Sequence, residues 1–122
     1  MNKELEKLVA YLLHSQTQTH VFHLQTKSYA EHKALQGYYE GIDPLVDAIV
    51  ESYQGKYDLI KTYESFAIDS YSDKSQLETY FKALSKKVQD VHKQVEDTYL
   101  QNQLDTVNEL IASTLYKLRF LD

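Results

Sequence analysis

HVFHLQTKSYAEHKALQGYYEGIDPLVDAIVE, residues 20–51, is the stretch on which the reading of this chain turns. Its apolar residues recur at intervals of three and four, the period of an α-helix. Thr26-Lys27-Ser28 interrupts the pattern, and Ser28 followed by Glu31 carries the capping-box signature of a helix start. The stretch therefore predicts the end of one helix, a short break and most of a second. At roughly 100° per residue, Leu35, Tyr39, Ile42, Val46, Ile49 and Tyr53 share one apolar face of the second helix. His32, Gln36, Asp43, Asp47 and Glu51 form a polar stripe along the edge of that face. On the first helix, His20 and His23 continue the apolar stripe of Leu5, Leu8, Val9, Leu12 and Leu13. His23 falls near the centre of that stripe and His20 nearer its edge. Pro44 lacks an N–H and strains the preceding turn, which predicts a kink near Gly41 to Pro44, and Gly55 is a candidate C-terminal stop.

Working outward, the first helix spans about 2–26 and the second about 29–54. Residues 55–75 form a long connection, in which Leu59, Ile60, Tyr63, Phe66 and Ile68 suggest a short packed helix. A connection of that length lets the second and third helices run in the same direction. The third helix spans about 75–99, with Leu77, Phe81, Leu84, Val88, Val91 and Val95 as its seam. The fourth spans about 101–121, with Leu104, Val107, Ile111, Leu115 and Leu118 inward. The expected fold class is all-α: one domain over residues 1–122, a four-helix bundle with a long crossover, containing a short helix, between the second and third helices.

Composition narrows the function classes. Three Gly and one Pro leave few breakers, against a turn-rich β fold. A formal net charge of −5 argues against nucleic-acid binding and against an anionic membrane surface. The absence of Cys removes disulfides, thiolate metal sites and Cys nucleophiles, and fits a cytoplasmic protein. MNKELEKLVAYLLHSQ, residues 1–16, carries charge from residue 3 and does not read as a signal peptide, and no apolar run approaches a membrane span. No Gly-rich phosphate loop, HExxH or nucleophile elbow occurs.

Imidazole and carboxylate are the donors that hold iron, manganese or zinc between helices. Carboxylates are hard anionic oxygen donors suited to both iron oxidation states, and neutral imidazoles add borderline nitrogens. His20, His23, His32, Asp47 and Glu51 are the candidate metal ligands, with Asp47 or Glu51 able to bridge two ions. Singly, each has a plainer reading. A His on an apolar face is more often a hydrogen-bonded core residue, and an acidic pair at i, i+4 is more often a solvated helix edge. Asp43 reads as stabilising the turn renewed after Pro44. His14 and His92 read as solvated, and Tyr38-Tyr39 as packing.

Asp47 and Glu51 follow His32 by fifteen and nineteen residues, and His20 precedes it by twelve. In this spacing the segment resembles the ferroxidase stretch of Dps-like mini-ferritins. NQLDTVNELIASTLYKLRFL, residues 102–121, resembles the last helix of Dps-like and phage-encoded ferritin-like proteins. The resemblance implies a ferritin-like bundle that assembles as a homo-oligomer, commonly a dodecameric shell. It further implies a di-iron site shared between subunits, with His from one and Asp/Glu from the other, that oxidises Fe(II) with peroxide or oxygen. A phage-encoded member would act in the host cytoplasm. His20 matches the family's first His by distance, and His23 would match across a shorter loop. Gln36 stands where the family has an acid and Leu24 where it usually has Trp, and the lysine-rich DNA-binding arm is missing. These departures sustain an alternative, a structural or interaction bundle with a degenerate, inactive metal site.

Overall fold

The computed structural model describes residues 2–122, and these form four helices. They are α1 (Lys3–Gln25), α2 (Tyr29–Lys56), α3 (Lys74–His92) and α4 (Thr98–Phe120). No strand occurs among the described residues. Around the bundle the order is α1, α2, α4, α3, and α3 packs back on α1 only thinly. The core is one cluster, with Leu5, Leu12, Leu35, Tyr38, Ile42, Ile49, Leu77, Phe81, Leu104, Val107 and Ile111 fully enclosed.

Side-chain caps set the starts of α1, α2 and α3. Asn2 Oδ1 accepts the Leu5 N–H at 3.0 Å and Asp73 Oδ1 accepts that of Gln76 at 2.8 Å. Ser28 Oγ accepts the Glu31 N–H at 3.2 Å, but only this half of the expected capping box forms. The Glu31 carboxylate turns away to accept from Thr26 Oγ1 at 2.7 Å and Tyr71 Oη at 2.8 Å, and Thr26 Oγ1 accepts the Ser28 N–H in its place. Glu31 is consequently buried.

The chain direction follows from the bundle ends. At one end Tyr53 Oη accepts the Asn2 N–H and donates to Glu6, while Asn2 Nδ2 donates to the Gln94 carbonyl. At the other, Gln25 of α1 meets Tyr71, and Lys74 meets the Arg119 carbonyl. Thus α2 and α3 run the same way, joined by a crossover that returns along the whole bundle.

Four expectations need correction. The crossover, residues 57–73, holds no helical turn. Its backbone groups are taken by side chains instead of by each other. The Ile60 N–H bonds Gln54 Oε1 at 2.9 Å, and Gln18 both donates to the Asp69 carbonyl at 2.9 Å and accepts its N–H at 2.8 Å. His14 Nε2 donates to the Ala67 carbonyl at 2.9 Å, so His14 is a strap holder and not a solvated residue. Phe66 stacks on Tyr11 at 4.3 Å over the thin α1–α3 contact, and Ile60 alone of the crossover enters the core. As the expected span of one helix across Pro44 requires, α2 passes through that residue without a break. Pro44 lies on the exposed side, where water can satisfy the carbonyl left without a partner. Gly55 does not stop α2, which ends at Lys56; no glycine among the described residues takes a positive φ. Finally, α3 ends at His92, well before residue 99. Val95 stays buried in the following turn, which kept the apolar period running past the helix itself.

Two predictions arise here. Gln18→Ala should loosen the crossover, because the Asp69 N–H and carbonyl lose both partners; the cost is about 1–3 kcal/mol, measured by urea unfolding, with faster amide exchange confined to residues 67–71. Asp97, at the start of α4, accepts from Lys56 and Tyr57, and these hydrogen bonds, Lys56 first, hold its carboxyl below the usual range. A carboxyl depressed on folding adds stability above its unfolded pKa and loses it as pH falls through its folded one. Asp97→Asn should therefore flatten the acid side of the Tm-against-pH curve. Because the Asp97 hydrogen bonds also raise the Lys56 and Tyr57 pKa values, stability that the native chain loses at high pH is absent from the variant, and the alkaline side should flatten too.

Candidate functional site

Where α1 ends and α2 begins, three of the five candidate ligands come together. His23 and His32 stack with ring centroids 3.6 Å apart and planes 19° apart. Each ring bonds the other residue's backbone: His23 Nδ1 lies 2.7 Å from the His32 carbonyl oxygen, and His32 Nδ1 lies 2.9 Å from that of His23. A carbonyl only accepts, so both Nδ1 atoms carry hydrogen and both Nε2 atoms carry the lone pair in the neutral rings. The exchange has a helical cause. The His23 carbonyl lies in the last turn of α1, where carbonyls lack intrahelical partners, and His32 supplies one. His20 stands 5.7 Å from His23 edge-on and stacks on Tyr39 of α2 at 4.2 Å. The Tyr39 hydroxyl lies 3.5 Å from His23 Nε2. His23 is buried, His32 half-buried and His20 exposed.

Asp47 and Glu51 do not join them. They lie on the same helix as His32 but roughly 22–28 Å further along it at 1.5 Å per residue. Both are exposed, and neither has a hydrogen-bond or ion-pair partner among the described residues. Among these residues no three His, Asp or Glu side chains of one chain gather as a metal cage. Gln36, between the two groups, donates to Glu40 at 2.8 Å. Asp43 is exposed ahead of Pro44.

The chain thus carries two separate groups of donor side chains, imidazoles at the α1–α2 junction and carboxylates further along α2. The nitrogen half is pre-oriented: the carbonyl partners fix tautomer and ring plane, as the outer partners of metal-binding imidazoles do. The oxygen half is two unpaired carboxylates one helical turn apart. The residues fit iron by donor type, and within one chain they do not fit it by position.

Sequence reasoning brought out the histidines but missed Tyr39 as their neighbour, because its phase placed it on the apolar face. The signal was present, since Tyr39 follows His32 by seven residues, two helical turns. It also missed the His14 and Gln18 contacts to the crossover; both residues flank the apolar stripe of α1 and are four apart. Elsewhere His92 pairs with Asp105 at 3.1 Å and Lys86 with Asp90 at 2.8 Å, joining an outer face of α3 and α4 with no added chemistry. No helix among the described residues is long and apolar enough to cross a membrane.

No curated protein and no solved structure matches the chain. One family model does match, over residues 23–118, which takes in the His23–His32 pair, the Asp47/Glu51 pair, α2 and α3 in full and most of α4. The chain therefore belongs to that family, a family of unknown function (DUF5856).

Proposed function

We propose that this protein is a ferritin-like, Dps-like subunit that binds Fe(II) and oxidises it at a site shared between two copies of the chain. The observation that carries the reading is the placement, along one side of α2, of His32 at its start beside the α1 histidines and of the unpaired Asp47 and Glu51 near its end. Two α2 helices paired antiparallel about Tyr39 to Gly41 would set His32 of one copy opposite Asp47 and Glu51 of the partner. Tyr29, 75 % exposed in the single chain, would be covered beside them. The crossover joining two helices of the same direction supports the ferritin-like part of the reading.

In such a site His32, with His20 or His23, supplies terminal nitrogens, and Asp47 and Glu51 supply terminal and bridging oxygens. Fe(II) is the substrate. Two Fe(II) each give up one electron to peroxide, which takes two protons and leaves as two waters; oxygen in its place leaves as peroxide. Pairing through α2 closes as a dimer; a shell that stores the ferric product, which the ferritin-like reading implies, would join such dimers through a second contact.

The test is anaerobic Fe(II) titration followed by peroxide, read in the near ultraviolet, beside sedimentation of the apo-protein. Saturable binding, oxidation faster than in a protein-free control and a species larger than the monomer are expected. Background oxidation alone would favour the second reading, a structural bundle with a degenerate site. One observation supports that alternative: Gln36 is a neutral amide, engaged with Glu40, where the resemblance calls for an acid.

A further inference from the structure

The three histidines at the α1–α2 junction are not equivalent. His23 is only 6 % exposed. Its Nδ1–H is committed to the His32 carbonyl, and its lone-pair nitrogen faces the Tyr39 hydroxyl at 3.5 Å. A metal ion approaching that nitrogen would have to displace a phenol inside a packed corner. His32 differs. Its Nδ1–H is held by the His23 carbonyl, its ring is half-exposed, and its Nε2 has no partner among the described residues. His20 is exposed and has no hydrogen bond among the described residues; its ring is held only by the Tyr39 face at 4.2 Å and the His23 edge at 5.7 Å.

We propose that His23 and Tyr39 are positioning residues of the shared iron site, not iron donors. His23 lies flat against His32 and fixes its ring plane, while Tyr39 fixes the plane of His20 and closes off the His23 nitrogen. The donor nitrogens that remain are those of His32 and His20. This rests on the functional reading above and adds the roles of two residues to it. It also explains why an imidazole sits in a buried corner: at His23 a flat ring with one N–H donor is needed, and its second nitrogen is satisfied by the phenol.

Cu(II) tests the assignment without turnover, because among first-row divalent ions it binds nitrogen sites most tightly. Pulsed EPR of the full-length protein loaded with one Cu(II) per chain counts the coordinated imidazoles. Two are expected in the native chain, one in His20→Ala and two in His23→Phe, which keeps a flat ring. Circular dichroism of His23→Phe verifies that it folds. Tyr39→Ala should raise the half-saturating Cu(II) concentration about tenfold, the scale of outer-partner losses, and Tyr39→Phe, which keeps the stacked ring, should restore it to within about threefold. The proposal is overturned if His23→Phe loses an imidazole while His20→Ala keeps two, if the native chain shows fewer than two, or if Tyr39→Ala leaves Cu(II) affinity unchanged. Two imidazoles in the native chain with no accelerated Fe(II) oxidation would sink the oxidase reading and leave these residue roles standing.

Discussion

Asp47→Ala combined with Glu51→Ala is expected to lower the initial rate of Fe(II) oxidation by at least about 100-fold, since loss of outer partners alone costs 10–100-fold and these would be direct ligands. Saturable Fe(II) binding should disappear with it. The folded chain should not suffer. Both carboxylates are exposed and unpaired among the described residues, and Ala is the best helix former, so helix content and Tm should hold or rise slightly. The oligomer separates the competing explanations. Glu40, Asp43, Asp47 and Glu51 form an exposed acidic row on α2. In a metal site, much of that charge is a cost that Fe(II) relieves, so the apo double variant should associate as well as the native chain or better. In a purely structural bundle, Asp47 and Glu51 would serve the partner's basic residues, and the variant would associate more weakly with no change in iron chemistry. Sedimentation and stopped-flow absorbance on the same sample therefore answer different questions, and weakened association with unaltered oxidation would exclude the shared site.

The fold was largely written in the apolar period. Helix number, helix type and the paired direction of α2 and α3 follow from stripes such as Leu77, Phe81, Leu84 and Val88 and from one long connection. What periodicity could not give was the state of the crossover. Leu59, Ile60, Tyr63, Phe66 and Ile68 look like a small amphipathic helix, but backbone partners decide helix formation, and here they are amide and imidazole side chains of α1 and α2. The pairings with α1 join residues about fifty apart, beyond any local window. The site was legible by half in the same way. Phase brought His20, His23 and His32 together because they lie on either side of one tight turn. It could not tell a clamped imidazole from a free one, since that depends on the His32 and His23 carbonyls and on Tyr39. The distance from His32 to Asp47, in contrast, follows from helical rise alone, and it keeps the imidazoles and the carboxylates apart within one chain.

Tyr38 and Tyr39 are identical neighbours in the sequence, and their substitution should separate core from site. Tyr38 is fully buried, set edge-on to Phe81 at 4.9 Å, and its hydroxyl meets Ser15 Oγ at 2.8 Å. Burial pushes its phenol pKa up, so it stays protonated. Tyr38→Ala removes an aromatic ring from the α1–α2–α3 contact and leaves a cavity, at a cost of about 3–5 kcal/mol. That is a large share of the roughly 5–15 kcal/mol that holds a domain of this size together. Tyr38→Phe should cost only about 0.5–1.5 kcal/mol, because Ser15 Oγ also donates to the Leu12 carbonyl at 2.7 Å and is not orphaned. Tyr39→Ala, on the half-buried edge, should cost less than Tyr38→Ala while altering metal affinity. Urea unfolding at fixed protein concentration, so that assembly contributes equally to each sample, measures all three. A loss below about 2 kcal/mol for Tyr38→Ala, the low end for truncating a buried side chain to Ala, would mean that this ring does not fill the bundle centre. The phase of α2 would then be set by other residues, because it is the burial of Tyr38 that turns Tyr39 and His32 to the half-buried edge and the acidic row Glu40, Asp43, Asp47 and Glu51 to the exposed side.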